Sequence, residues 1–282
     1  MNCKLIAFDL DGTFLDDFKR IPEENIRALE EAGRRGIVIV PASGRLYPYL
    51  PEEVRALPGA KYFITANGNG VYDAVEDRLL YTAYIEIEDA LCLVDYMDTL
   101  DVLYDCYADN LGFTQESFWN KADDFFTTPV MNNMFHSYIK LSRSTVDNLR
   151  TFISGRSAPL QKMQMFFHDT DREGKLRQLE LLPGMFPQFV FSSSLPNNIE
   201  VNSTRATKGQ ALAALCTELG IAPEETVVFG DGTNDLDMIA FSGNGVAMVN
   251  GAEEVKAAAR FLSETDNNHA GVARTLEKMK IL

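Results

Sequence analysis

Two aspartates close a short apolar run near the start of the chain, in Asp9-Leu10-Asp11-Gly12-Thr13. At alternate positions on a strand end, their side chains point to one side of the pleat. Crowded carboxylates repel and raise one another's pKa, and a divalent cation relieves that cost. Gly12 lets the chain turn sharply away from them. A second acidic stretch, Gly230-Asp231-Gly232-Thr233-Asn234-Asp235, also follows an apolar run. Asp231 sits at the strand tip, and Asp235 faces back toward it if a helix begins between them. Taken singly, each stretch also reads as a turn of Gly, Asn and Asp with a capping residue. Together they place carboxylates for a cation at one sheet edge.

Ser43, in Pro41-Ala42-Ser43-Gly44-Arg45, offers a hydroxyl with backbone N–H groups nearby, which suits a phosphoryl oxygen. The bland alternative is a helix N-cap. Lys208, in Thr207-Lys208-Gly209-Gln210, falls in the first turn of an expected helix, where a cation opposes the helix dipole. An anion would account for it; a solvated surface lysine is the plain alternative.

These residues need rigid elements beneath them. Residues 4–10 read as a buried strand. Pro22 suits a first helical position, and Ile26, Leu29 and Ala32 continue that helix until Gly36 ends it. Residues 37–41 and 61–66 read as two more buried strands, the latter closed by the turn pair Asn67-Gly68. Continuous apolar strands separated by helices imply an α/β fold with a parallel sheet covered on both faces. In such sheets ligands bind outside the carboxyl ends of the strands, where Asp9, Ser43 and Asp231 fall.

The middle of the chain has another rhythm. A helix is expected over 87–100, a strand over 102–107, and an irregular aromatic-rich stretch to about 135. Strands at 138–141, 161–167 and 188–193 then alternate with helices at 146–153 and 174–182. This reads as an inserted α+β domain with an antiparallel sheet, so the expected boundaries are 1–82 core, 83–193 insert and 194–282 core. The α/β rhythm returns with a helix over 208–219, a strand over 226–230 and another over 244–249. Phe113, Phe118, Trp119, Phe125, Phe126 and Phe135 of the insert read as core packing rather than a substrate cleft. Lys140 and Arg143 read as solvated strand-end charges rather than contacts to an anionic or hydroxyl-rich substrate, and His136 and His168 as structural. Glu23-Glu24 and Glu253-Glu254 sit where helix N-termini are expected and favour the dipole there.

Composition bounds the partners. The 282 residues carry 26 Lys and Arg against 41 Asp and Glu, a formal charge of −15. That argues against a nucleic-acid groove or a basic membrane-surface helix. Cys3, Cys92, Cys106 and Cys216 lack metal-ligand spacing and read as small buried or half-buried apolar side chains in a reducing compartment. The apolar run before Asp9 is too short for a signal peptide, and no run of ~18 apolar residues occurs, so a soluble cytoplasmic protein is expected.

The four motifs, in this order, resemble the haloacid dehalogenase (HAD) superfamily. DLDGT, ASGR, TANG, ATKGQAL and GDGTNDLDM resemble more closely its Cof-type phosphatases, whose large α+β cap (type C2B) follows the third core strand. The resemblance implies a Rossmann-like HAD core and a set of roles. Asp9 would be the nucleophile that becomes an aspartyl-phosphate, and Asp11 the general acid and then base. Ser43, Lys208 and Asn234 would bind the phosphoryl group. Mg²⁺ would be held by the Asp9 carboxylate, the Asp11 backbone carbonyl and Asp231, with Asp235 orienting metal-bound water or the lysine. Gly44, Arg45 and Asn67 match positions lining the cap-facing cleft, although a surface ion pair and a tight turn explain Arg45 and Asn67 equally well. Ser43 in place of threonine keeps the hydroxyl, and Phe14 in place of leucine is a packing change.

The resulting expectation is a Mg²⁺-dependent phosphatase of small organic phosphomonoesters, sugar phosphates first, acting as a monomer or small homo-oligomer with a phosphorylated metabolite as its partner. A phosphatase for a nucleotide or flavin-precursor phosphate is the main alternative. A phosphomannomutase-like phosphotransferase would need a second anion site, and no arginine cluster suggests one. A non-catalytic phospho-accepting switch would lack both the second acid, Asp11, and the insert.

Overall fold

The computed structural model describes residues 2–193 and 195–282. It divides into two compact units, Met1–Thr82 with Ala206–Leu282, and Ala83–Arg205. In chain order the strands are β1 (Leu5–Asp9), β2 (Val38–Ala42), β3 (Tyr62–Thr65), β4 (Gly70–Asp73) and β5 (Arg78–Thr82). There follow β6 (Leu103–Ala108), β7 (Leu111–Gln115), β8 (Arg143–Val146), β9 (Lys162–Phe166), β10 (Phe189–Ser192) and β11 (Asn198–Ser203). The chain ends with β12 (Thr226–Gly230), β13 (Asn244–Ala247) and β14 (Phe261–Leu262).

The first unit is an α/β sheet in the order β14-β13-β12-β1-β2-β3-β4-β5, parallel from β14 to β3. Every residue of β1 and β12 is buried, because helices cover both faces. Ile6, Phe8, Val227 and Phe229 pack on one side with Leu29 and Ala32 of helix Glu23–Arg34 and Leu276 of helix Gly271–Lys278. Leu5, Ala7 and Val228 pack on the other with Leu212 and Leu215 of helix Lys208–Leu219 and Ile239 of helix Leu236–Phe241. Both Glu pairs lie in helical first turns, as expected. The antiparallel β4–β5 hairpin was not expected: its strands mix polar and apolar residues at a sheet edge.

The second unit is a sheet in the order β10-β11-β9-β6-β7-β8, antiparallel except for the β7–β8 pair. The strand expected at 138–141 is instead a π turn, Phe135–Ile139, followed by a 3-10 turn, Lys140–Ser142. The strand begins directly after that turn, at Arg143, five residues beyond its expected start, where the chain pairs with β7. The stretch expected to be irregular holds β7 and the helices Glu116–Phe125 and Pro129–Met134. Its buried phenylalanines, Phe118, Phe125, Phe126 and Phe135, form a core cluster.

The return to the first unit falls after Arg205 rather than at 194. β11 pairs with both β9 and β10, and its Ile199 and Val201 pack among Met163 and Met165, so its burial belongs to the insert. Cys92 is exposed rather than buried, because Ala90, Leu93, Val94 and Met97 supply the inward face of helix Ile87–Met97. No helix among the described residues is long and apolar enough to cross a membrane.

Candidate active site

Register brings the chemistry together. In adjacent parallel strands Asp9 pairs with Ala42 and Phe8 with Phe229. Ser43 therefore follows the partner of Asp9 on one side, and Asp231 emerges just beyond β12 on the other. All three leave the carboxyl edge of the sheet.

Lys208 is fully buried between two of the acids. Its Nζ lies 2.5 Å from Asp9 Oδ1 and 2.6 Å from Asp235 Oδ1. This overcomes its unfavourable place in a first helical turn. The turn is otherwise well made: Thr207 is the N-cap and accepts from the Gln210 backbone N–H at 3.2 Å. Gly209 N–H donates to Asp237 Oδ2 at 3.0 Å, tying the lysine's helix to the segment after β12. Gly68, at φ +92, allows the TANG turn to press on the same helix start; a Cβ there would lie 2.1 Å from the Thr207 carbonyl.

Asp235 has both oxygens engaged. Oδ1 takes Lys208, and Oδ2 accepts the backbone N–H groups of Asp231 and Gly232 at 3.0 Å each. It therefore fixes the loop that carries Asp231 and aims the lysine. Thr13 donates to Asp231 Oδ1 at 2.6 Å, and Asn250 Nδ2 donates to the Gly12 carbonyl at 2.8 Å. Gly12 is required by space as well as by conformation: at φ +89, a Cβ would lie 2.4 Å from Asp231 Oδ2.

Carboxylate oxygens of Asp9, Asp231 and Asp235 lie within 4.8 Å of one another. Burial pushes the Asp9 carboxyl up to about 7 against the pull of Lys208, and burial also raises Asp231. Burial alone would lower the Lys208 ammonium, but Asp235 and Asp9 outweigh it and hold it above its ordinary range. Hard oxygen donors gathered at a desolvated edge, with one lysine for three acids, fit a divalent cation such as Mg²⁺. With both Asp235 oxygens occupied, Asp9 and Asp231 are the side chains best able to hold it.

The Asp11 side chain lies outside that acidic cluster. It pairs with Arg45 Nη2 at 3.1 Å and with Lys19 Nζ at 2.8 Å. The Lys19 turn is built by Asp16, whose Oδ1 accepts the backbone N–H groups of Phe18 and Arg20 at 2.9 Å each. Ser43 is buried, and its Oγ accepts the Arg45 N–H at 3.2 Å, a local turn rather than the cap of a helix. Asn67, in the left-handed region at φ 57, accepts from Asn234 Nδ2 at 3.2 Å, and Gly44 leaves room for it. Sequence reasoning assigned no part to Thr13, Lys19, Asp237 or Asn250. Only Thr13 and Asp237 lay inside quoted motifs. The cationic turn at Lys19 depends on a loop geometry that no spacing reveals.

Comparison with known proteins follows the same pattern. A family described as haloacid dehalogenase-like hydrolase matches residues 6–276. The 5-amino-6-(5-phospho-D-ribitylamino)uracil phosphatase YcsE of Bacillus subtilis (strain 168) is 29% identical over 280 residues, covering 98% of this chain and 95% of that protein. Phosphatase YwpJ of the same organism is 28% identical over 292 residues, covering 98% and 99%. Among solved structures, TM0651 from Thermotoga maritima superposes with a TM-score of 0.81 at 28% identity, covering 98% of this chain and 97% of that one.

Proposed function

This chain belongs to the haloacid dehalogenase-like hydrolases and is a phosphatase of the Cof type, and from that premise we propose that it is a Mg²⁺-dependent hydrolase of small organic phosphomonoesters, sugar phosphates first, working through an aspartyl-phosphate on Asp9. The observation that carries the reading is Lys208, buried and shared between Asp9 and Asp235. Lys208 orients the Asp9 carboxylate, one oxygen of which attacks phosphorus. The ammonium then faces the charge that develops on the transferring phosphoryl oxygens. Ser43 and Asn234 donate to the same oxygens. Bound Mg²⁺, held by Asp9, the Asp11 backbone carbonyl and Asp231, would neutralise phosphoryl charge. Asp11 protonates the leaving oxygen and later takes a proton from water, so one displacement is divided into two easier ones. Arg45 and Lys19 hold its carboxylate beside the site.

A substrate screen tests the reading. Turnover of sugar phosphates, nucleotides and cofactor phosphates should vanish on exhaustive chelation and return with Mg²⁺. Full activity without metal would overturn metal dependence, and no turnover of any ester would overturn the phosphomonoester assignment. A second substrate reading, a flavin-precursor phosphate, is favoured by the name of the Bacillus relative YcsE. The screen separates the two by adding 5-amino-6-(5-phospho-D-ribitylamino)uracil.

A further inference from the structure

Residues 249–252 take no part in the chemistry proposed above, yet they touch both acidic loops. β13 runs parallel to β12 with Gly230 opposite Ala247, so the chain leaves β13 beside the chain that carries Asp231. Met248 N–H donates to the Gly230 carbonyl at 3.0 Å, and Ala252 N–H donates to the Asp231 carbonyl at 2.9 Å. Gly251 fits between these two bonds with little to spare. A Cβ there would lie 3.0 Å from Asp231 Cα and 3.0 Å from its carbonyl oxygen. The backbone of this segment therefore braces the Asp231 loop.

Asn250 carries the contact to the first loop. Its Nδ2 donates to the Gly12 carbonyl at 2.8 Å, across 238 positions of sequence. Its Oδ1 accepts the Asn267 N–H at 3.3 Å, which settles which end of the amide faces Gly12. Asn267 is itself fixed. It is buried, and its Nδ2 donates to the Leu15 carbonyl and to Asp17 Oδ1 at 3.0 Å each. The Asn250 amide thus joins a rigid anchor to the glycine of the first loop.

What adjoins that glycine gives the contact its weight. Gly12, at φ +89, lacks the side chain that would restrict its backbone. The peptide before it carries the Asp11 carbonyl, a proposed ligand of the cation. The residue after it, Thr13, donates to Asp231 Oδ1 at 2.6 Å. Holding the Gly12 carbonyl limits the swing of both. Both ends of the Asn250 amide are engaged, so its effect on a cation passes through the loop that it holds.

We infer that Asn250 is a positioning residue for the metal site. By pinning the Gly12 carbonyl while its own segment braces Asp231, it sets the spacing at which the two acidic loops hold one divalent cation. This rests on the metal reading above. Calorimetric titration of Mg²⁺ into the metal-free full chain, without substrate, tests it beside thermal melts of the same samples. Asn250→Ala deletes the bridge. Asn250→Asp keeps the size and the acceptor for Asn267 but loses the donor, and its added charge would by itself favour the cation.

Both variants should raise the Mg²⁺ Kd by about ten-fold or more, as loss of outer support to a metal ligand does. Both should also shrink the rise in Tm that Mg²⁺ gives, because that rise follows the affinity. Asn250 is exposed, so the metal-free Tm should fall by no more than about 4 °C, the scale of one hydrogen bond in a chain of this size. A wild-type Kd in Asn250→Ala would overturn the inference. So would a weakened Asn250→Ala beside a wild-type Asn250→Asp, which would assign the effect to the Asn267 contact. A large loss of metal-free stability in both variants would make Asn250 a structural residue and overturn it too. If Asn250→Ala fails to fold, Asn250→Asp carries the comparison. A wild type that binds no Mg²⁺ ends the metal reading and this inference with it. A wild type that binds, with variants that bind equally well, ends this inference alone.

Discussion

Lys208 Nζ lies 2.5 Å from Asp9 Oδ1, with its other contact, Asp235 Oδ1, at 2.6 Å. The lysine is the one cation in direct contact with Asp9 among the described ion pairs, and it comes from a helix that starts 199 residues later in the chain. One residue thus lowers the repulsion among the acids and presents a positive charge to the phosphoryl group.

Replacing that lysine separates electrostatics from simple packing. Lys208→Met should lower kcat/KM by at least about 10²-fold, the scale of losing one donor to a charged transition state. It should also destabilise the metal-free protein by about 3–5 kcal/mol, since removing one partner strands buried charge. Thermal melts and steady-state kinetics on one preparation check both. A variant as stable and active as wild type would contradict the role.

Gly12→Ala tests the close approach between the two acidic loops. The added Cβ meets Asp231 Oδ2 in a backbone conformation that L-residues rarely adopt. Displacing this carboxylate should raise the Mg²⁺ concentration for half-maximal activity by about 10–100-fold, as disturbed support of a metal ligand does. A metal titration of activity reads the shift; an unchanged Mg²⁺ requirement would show that Asp231 is not held by this contact.

His168 gives the insert a pH dependence. Burial lowers its pKa, but hydrogen bonds to the Asp124 carbonyl and Asp101 outweigh that and leave it raised. The ring also stacks on Phe125 at 3.8 Å. A raised histidine pKa stabilises fully below the unfolded value near 6.5, and the gain disappears as pH climbs through the folded value. The Tm difference between wild type and His168→Gln should therefore be larger at pH 5.5 than at pH 9. The contact is partly exposed, so the change is small. A difference that grows with pH would contradict the assignment.

The core was largely legible in the sequence because its strands are buried on both faces. The runs 5–8 and 227–229 are apolar throughout and lead directly into Asp9 and into Gly230-Asp231, so element and chemistry coincide. Lys208 stood out because a cation in a first helical turn needs a reason. The insert was less legible because its information lies across strands. Arg143 looks like a solvated strand end until Gly112 lets it cross to Asp105. Asn198–Ser203 follows a Leu-Pro-Asn turn and carries two core residues, which say nothing of the sheet they join. Lys19 reaches Asp11 only through the turn that Asp16 builds.

The central claim is that Asp9 is phosphorylated while Asp11 handles protons, and Asp11→Asn examines both at once. General acid–base help is worth roughly 10²–10⁴-fold, so its loss should depend on the leaving group. A sugar phosphate, which must expel a basic alkoxide, should lose most in the first step. p-Nitrophenyl phosphate expels a stable phenolate and should still phosphorylate Asp9, after which hydrolysis stalls. Rapid-quench kinetics with mass spectrometry of the trapped enzyme should show a burst of nitrophenol and a phosphoryl group on Asp9, abolished in Asp9→Asn. Equal first-step losses for both esters, with no phosphoryl group on Asp9, would contradict the account.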